Sequence, residues 1–324
     1  MGLRQDLNAE FDLVPRLYSG LRTVAVLLIA LSAPARAALV CDSLAGVDAA
    51  TQMQGLPAPR IVKLHGSVPI ITMEPFAEFL IGMGYPEASL RDPFDGSFTR
   101  SSYADSEALA GSLAWYYERD GMRPMVIGHS QGGMMVMRVL HELAGGFSDA
   151  IAVFDPTTRT ALARTTFRDP YTGKERPVVG ARVAYASAIA TGALPRLLLG
   201  QWTMIPKLRK VPDSTLEFTG FAIAFDPIAG NLGNPDPYVA TGSSAVRNVV
   251  LPASYSHIGA PAMEHLARQP STRAWIVDWQ PGSSEPPPAD ADVRNLELAA
   301  DLWYSIRRHW CIEGQRAQAR PSAS

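Results

Sequence analysis

Three features of the sequence predict an α/β fold with a mostly parallel central sheet and helices on both faces. Short apolar runs alternate with longer segments of helical spacing, the order that builds parallel sheets. One junction, Gly128-His129-Ser130-Gln131-Gly132, fits G-x-S-x-G between a short apolar run and a long apolar, helix-like stretch. Near the C-terminus, residues 292–310 read as an amphipathic helix with Val293, Leu296, Leu302, Trp303 and Ile306 on or near one face.

In chain order, residues 61–64 read as a strand ending at His65-Gly66. Residues 75–83 read as a helix with Pro75 in its first turn and Gly84 after its last. A second helix is predicted over 101–120, where Leu109, Leu113 and Tyr116 recur at helical spacing. Pro124-Met125-Val126-Ile127 reads as a buried strand and 133–143 as a buried helix, whose Met134, Met135 and Met137 fill the core. Residues 150–154 read as a further strand ending at Asp155. From 157 to 214 the alternation breaks, with a polar turn at 169–174 and an apolar, helical piece at 178–199. Strands resume at 218–225 and 246–251, and 281–290 is a stiff Pro-rich surface loop. Residues 38–324 are expected to form one domain.

The glycines at 128 and 132 suit a tight turn at which strand and helix backbones approach too closely for a Cβ. With Leu64-His65-Gly66-Ser67 upstream and Ser256-His257-Ile258-Gly259 downstream, the chain resembles the α/β-hydrolase superfamily, in particular its secreted lipases and esterases. The resemblance spans about 60–310. It implies the α/β-hydrolase fold, with residues 157–214 as an inserted lid, and a serine hydrolase that cleaves carboxylic esters through an acyl-enzyme on Ser130. His257 is the expected base, because it follows the last strand and the family's chain order is serine, acid, histidine. Asp226, just after the strand at 218–225, is the favoured acid; Asp155 is the alternative, and Asp236 lies in a turn. The oxyanion donors implied are the N–H of Gln131 and that of Ser67 or Val68. An amidase, a thioesterase or a cofactor-free peroxidase could use the same fold, and an inactive, hydrolase-like binding protein is the reading from another class.

Composition narrows the partners. The formal net charge is −2 with no basic run, which argues against nucleic acid. No HExxH, CxxC or dinucleotide fingerprint occurs, so neither metal nor cofactor is expected. A small-molecule or lipid ester, met through a transient lipid interface, fits the apolar stretch around Leu197, Leu198, Leu199, Trp202, Met204 and Ile205. Arg22, the apolar run 23–31 and Ala35-Arg36-Ala37 have the three parts of a secretory signal, so residues 1–37 are expected to be removed and the protein to be secreted or periplasmic. Export makes a disulfide between the two cysteines, Cys41 and Cys311, the expected pairing.

Overall fold

The computed structural model describes residues 40–42, 44, 53 and 55–320, and the predicted signal segment 1–37 lies outside them. In chain order the elements are β1 (Ile61–Leu64), α1 (Glu74–Gly82), α2 (Ser106–Asp120), β2 (Met125–His129), α3 (Gln131–Leu143), β3 (Phe154–Asp155), β4 (Thr160–Ala161), β5 (Thr166–Arg168), β6 (Glu175–Pro177), β7 (Val183–Ile189), α4 (Leu194–Leu198), β8 (Lys210–Val211), β9 (Thr215–Ile223), β10 (Val239–Ala240), β11 (Ala245–Leu251), α5 (Pro270–Asp278) and α6 (Leu296–Gln318). β1, β2, β7, β9 and β11 form a five-stranded sheet in that order, with every pair parallel.

Alternation along the strands sorts their side chains onto two cores. Ile61, Met125, Ile127, Tyr185, Phe221 and Ile223 face α1 and α6, where Phe76, Phe79, Trp303 and Ile306 are fully buried. Val62, Leu64, Val126, Ala186 and Phe218 face α2 and α3. Met134, Met135 and Met137 pack there too, as expected of unbranched gap-fillers. Helix α2 starts at Ser106, later than the predicted 101, because the Asp105 side chain accepts the Glu107 N–H and caps it.

Two expectations are corrected. Residues 150–154 do not join the sheet. Val153 pairs through its backbone with Arg164 and Leu162, and the chain runs across α2 so closely that a Cβ on Gly111 would lie 2.2 Å from Ala152 O. The apolar piece at 178–199 is not one helix: Val183–Ile189 is a fully buried strand between β2 and β9. A strand covered on both faces is a continuous apolar run, which periodicity does not separate from a buried helix. Residues 157–214 are therefore two excursions on either side of a core strand. The first, with β3–β6, packs on α2 through Tyr117–Phe167 and Glu118–Arg164. The second, 190–214, follows the C-terminal end of β7.

Helix α6 is tied down in two ways. Its Ser305 Oγ and His309 Nε2 reach the buried Glu217 of β9 at 2.7 and 3.1 Å. Burial would raise the Glu217 pKa, but these contacts and Arg247 overcome it and draw the carboxyl down to about 2. Cys41 and Cys311 form a disulfide across 270 residues, joining the start of the described chain to α6. Such a bond points to an oxidising location, extracellular or periplasmic. Among the described residues no helix is long and apolar enough to cross a membrane. Reducing the disulfide, or replacing Cys311 by serine, is expected to cost about 2–5 kcal/mol of stability. Urea titrations with and without reductant check this, and coincident curves would show that the bond contributes nothing.

Candidate active site

Loops after β1, β2, β7, β9 and β11 leave the same, C-terminal edge of the parallel sheet. Ser130 is the single residue between β2 and α3, and it sits at φ 53°, where a side chain is strained. Its surroundings enforce the turn. A Cβ on Gly128 would lie 2.2 Å from the Gly132 carbonyl, one on Gly132 2.2 Å from Leu64 O, and one on Gly133 2.0 Å from Thr191 Oγ1. The Ser130 N–H donates to Ile189 O at 2.8 Å and its carbonyl accepts from Thr191 Oγ1 at 3.0 Å, so both sides of the strained residue are fixed.

Ser130, His257 and Asp226 are brought into a line. His257 Nε2 is 3.0 Å from Ser130 Oγ, and His257 Nδ1 is 2.7 Å from Asp226 Oδ2. Asp226 closes a tight loop after β9, exchanging two backbone hydrogen bonds of 2.8 Å with Asn231 and accepting the Ala229 N–H at 3.0 Å. Burial works to raise its pKa, yet the hydrogen bonds from His257 and Ala229 prevail and hold the carboxyl below its ordinary value. An ionised Asp226 keeps the imidazole proton on Nδ1 and leaves Nε2 free to accept from the Ser130 hydroxyl. The loop carrying His257 is anchored to the start of α6. Asn295 Nδ2 donates to Gly259 O and Ala262 O at 2.7 and 2.9 Å, and the Glu297 N–H donates to Tyr255 Oη at 3.1 Å.

Asp155 is not brought to His257. It sits in the hairpin on α2, where its Oδ1 accepts from the Thr157 N–H and hydroxyl at 2.8 and 2.6 Å, a turn-closing role. The other histidines are elsewhere. His141 contacts Lys207 O, His265 faces Asp292, His309 meets Glu217, and His65 Nδ1 donates to its neighbour's carbonyl. His265 lies in a short 3₁₀ turn, Glu264–Ala267.

Gln131 opens α3, so its N–H has no acceptor within the helix. Gly66 touches Ser130: a Cβ there would lie 3.3 Å from Ser130 Cβ. Ser67 and Val68 follow it, and among the described residues neither engages its N–H in a backbone hydrogen bond. Ser102 Oγ donates to Gly66 O and Tyr103 Oη to Ser67 O, each at 3.2 Å, which steadies this loop. Among the described residues, no cluster of three histidine, cysteine or acidic side chains could hold a metal.

Sequence reasoning missed three contacts. Thr191 braces the turn from β7, which was not read as a strand; the third glycine, Gly133, was the available signal. Buried Arg196 donates to the Gln131 side chain, across a fold contact no local pattern marks. His129 packs its ring 5.2 Å from that of His257, and its Nε2 lies 2.7 Å from the His257 carbonyl. Burial first, then the neighbouring His257, push the His129 pKa down from 6.5 to about 4. The neutral ring therefore donates from Nε2 and holds the His257 backbone.

No known protein family matches the sequence, and no curated protein matches it. A solved structure of RedJ with a PEG molecule bound in the active site is 14% identical, over 68% of this chain and 90% of that one, with a TM-score of 0.28. A likeness so slight carries no argument here.

Two outcomes follow from this packing. Gly132→Ala is expected to destabilise by about 1–3 kcal/mol, because backbone atoms must move to admit the methyl group; chemical denaturation reads the loss, and a neutral effect would refute the close approach. As pH falls from 6.5 to about 4, unfolded His129 takes up a proton that the folded ring refuses. Stability therefore falls with pH across that window, by up to about 1.4 kcal/mol per pH unit for one proton. Melting curves should show this slope reduced in His129→Gln, and an identical slope would contradict the assignment.

Proposed function

We propose that the protein is a serine hydrolase of carboxylic esters with an α/β-hydrolase fold. The observation that carries this reading is the Ser130–His257–Asp226 array on a strained strand-to-helix turn. The hydroxyl of Ser130 is a weak nucleophile unaided, and the 3.0 Å contact with His257 Nε2 gives it a base. Ser130 Oγ attacks the acyl carbon while His257 takes its proton. The carbonyl oxygen becomes an oxyanion facing the N–H of Gln131 and that of Ser67 or Val68. His257 then returns the proton to the departing alcohol, leaving an acyl-serine. Water repeats the sequence, with His257 taking its proton, and releases the acid and free Ser130. Asp226 holds the imidazole and stabilises its charged form throughout.

The order of the parts supports the fold reading. The serine follows β2, the acid follows β9 and the histidine follows β11, each at the same edge of a parallel sheet. The side chains around this edge support an ester with an apolar part. Val68, Leu194, Trp202, Phe225, Ile228 and Ile258 are all exposed large hydrophobics on the loops after β1, β7, β9 and β11. The excursion at 190–214 is the covering segment in this reading, since it reaches Gln131 through Arg196, whereas the hairpins at 157–177 do not cover the site.

Hydrolysis of p-nitrophenyl esters of increasing chain length tests the proposal. Ser130→Ala is expected to lose ~10⁴-fold or more in kcat/KM, with an unchanged circular dichroism spectrum. Asp226→Asn should lose several orders of magnitude and Asp155→Asn almost nothing. Near-native turnover by a folded Ser130→Ala variant would exclude the reading.

A further inference from the structure

The N–H of Gln131 belongs to the peptide unit that joins it to Ser130. In a planar trans peptide that N–H points opposite to the Ser130 carbonyl, so whatever fixes the carbonyl aims the donor. The rotation that sets this plane is ψ of Ser130, −112° at φ 53°, a combination that serine seldom adopts. Three donors hold the carbonyl there. The N–H groups of Gly133 and Met134 reach it along the helix, at 3.1 and 3.3 Å. Thr191 Oγ1 reaches it from outside the helix, at 3.0 Å. Ile189 O, another acceptor near that hydroxyl, lies farther away at 3.4 Å.

The chain around the buried Thr191 is bent to present this hydroxyl. Ala190 sits at φ 50°, in the left-handed region that a residue with a Cβ avoids, and its N–H donates to Phe221 O at 2.8 Å. Gly192 presses on the loop of Asp226, where a Cβ would lie 1.6 Å from Ala229 O. Gly133 leaves the hydroxyl its room, since a Cβ there would lie 2.0 Å from Thr191 Oγ1. Arg209 Nη2 donates to the Thr191 carbonyl at 2.8 Å, from the far end of the same excursion. The helix N–H groups already satisfy the Ser130 carbonyl, so the hydroxyl is not needed to pair it. What it adds is direction and polarisation, because donation into a peptide carbonyl strengthens the N–H of that peptide as a donor.

We propose that Thr191 is a positioning residue for acyl transfer: by donating to the Ser130 carbonyl it aims the Gln131 N–H at the oxyanion. The proposal deepens the hydrolase reading and rests on it. In the attack, Ser130 Oγ bonds to the acyl carbon, its proton passes to His257, and the carbonyl π pair moves onto oxygen. Thr191 touches none of these atoms. It acts through the peptide plane, so its effect is confined to the steps in which the oxyanion forms.

A matched set of variants tests this. Thr191→Val keeps the shape and loses the hydroxyl, whereas Thr191→Ser keeps the hydroxyl and loses the methyl group. With p-nitrophenyl butyrate, Thr191→Val is expected to lower kcat and kcat/KM together by about tenfold or more, with KM within about twofold of the wild type. Thr191→Ser should keep kcat within about threefold. Affinity for a trifluoromethyl ketone, which adds to Ser130 as a tetrahedral oxyanion, should fall alongside kcat in Thr191→Val. A packing role would give the opposite order, since serine leaves a void that valine fills. Should Thr191→Val not fold, Thr191→Ala and Thr191→Ser differ by the hydroxyl alone and decide the matter. Wild-type kcat in Thr191→Val, equal losses in the valine and serine variants, or equal rates in the alanine and serine variants would overturn the positioning role, with the wild type active. A folded wild type that neither hydrolyses the ester nor takes up a fluorophosphonate would instead overturn the hydrolase reading itself.

Discussion

The close approach of β1, β2 and the Thr191 side chain to the start of α3 around Ser130 is the constraint on which the rest depends. β1 meets α3 at Gly132, β2 meets α3 at Gly128, and β7 meets α3 at Gly133 through Thr191. None of these contacts leaves room for a side chain. Their combined effect is to force the chain to reverse within one residue, and that residue adopts φ 53°. The strain is of order 1–3 kcal/mol and persists only because packing on all sides over-determines it. Its consequence is positional: the hydroxyl projects from the sheet edge toward the loops that carry His257 and Gly66.

The second fixed point is α6. At one end its disulfide and the Glu217 contacts bind it to the sheet and to the start of the described chain. At the other end Asn295 and the Glu297 N–H hold the loop on which His257 rides. His129 grips the same loop from the opposite side, through the His257 carbonyl. The imidazole is thus located by two backbone anchors as well as by Asp226. This arrangement reads as preorganisation, in which the cost of orienting the imidazole is met during folding.

Legibility in the sequence followed the range of the interactions. Ser130 was legible because its turn is local, and five consecutive residues carry the steric demand. His257 and Asp226 were legible through position, each on the loop after a strand in the expected order. Asp155 stayed in contention because a carboxylate ending an apolar run looks the same whether it caps a turn or faces a histidine. The β7 strand was not legible, since burial on both faces removes the alternation that marks a strand. Nor were the partners of Gln131 and of the His257 carbonyl, which come from residues far along the chain and are joined only by tertiary packing. The continuity of the stretch at 157–214 was illegible for the same reason: with 183–189 a core strand, it splits in two.

Mapping of the site of phosphonylation tests the central claim most directly. The protein would be treated with a fluorophosphonate, digested, and its peptides sequenced by mass spectrometry. A serine activated by His257 and Asp226 predicts a single adduct on Ser130, absent from the Asp226→Asn variant at matched exposure. Labelling spread over several serines, or an intact protein with Ser130 unmodified, would contradict the account.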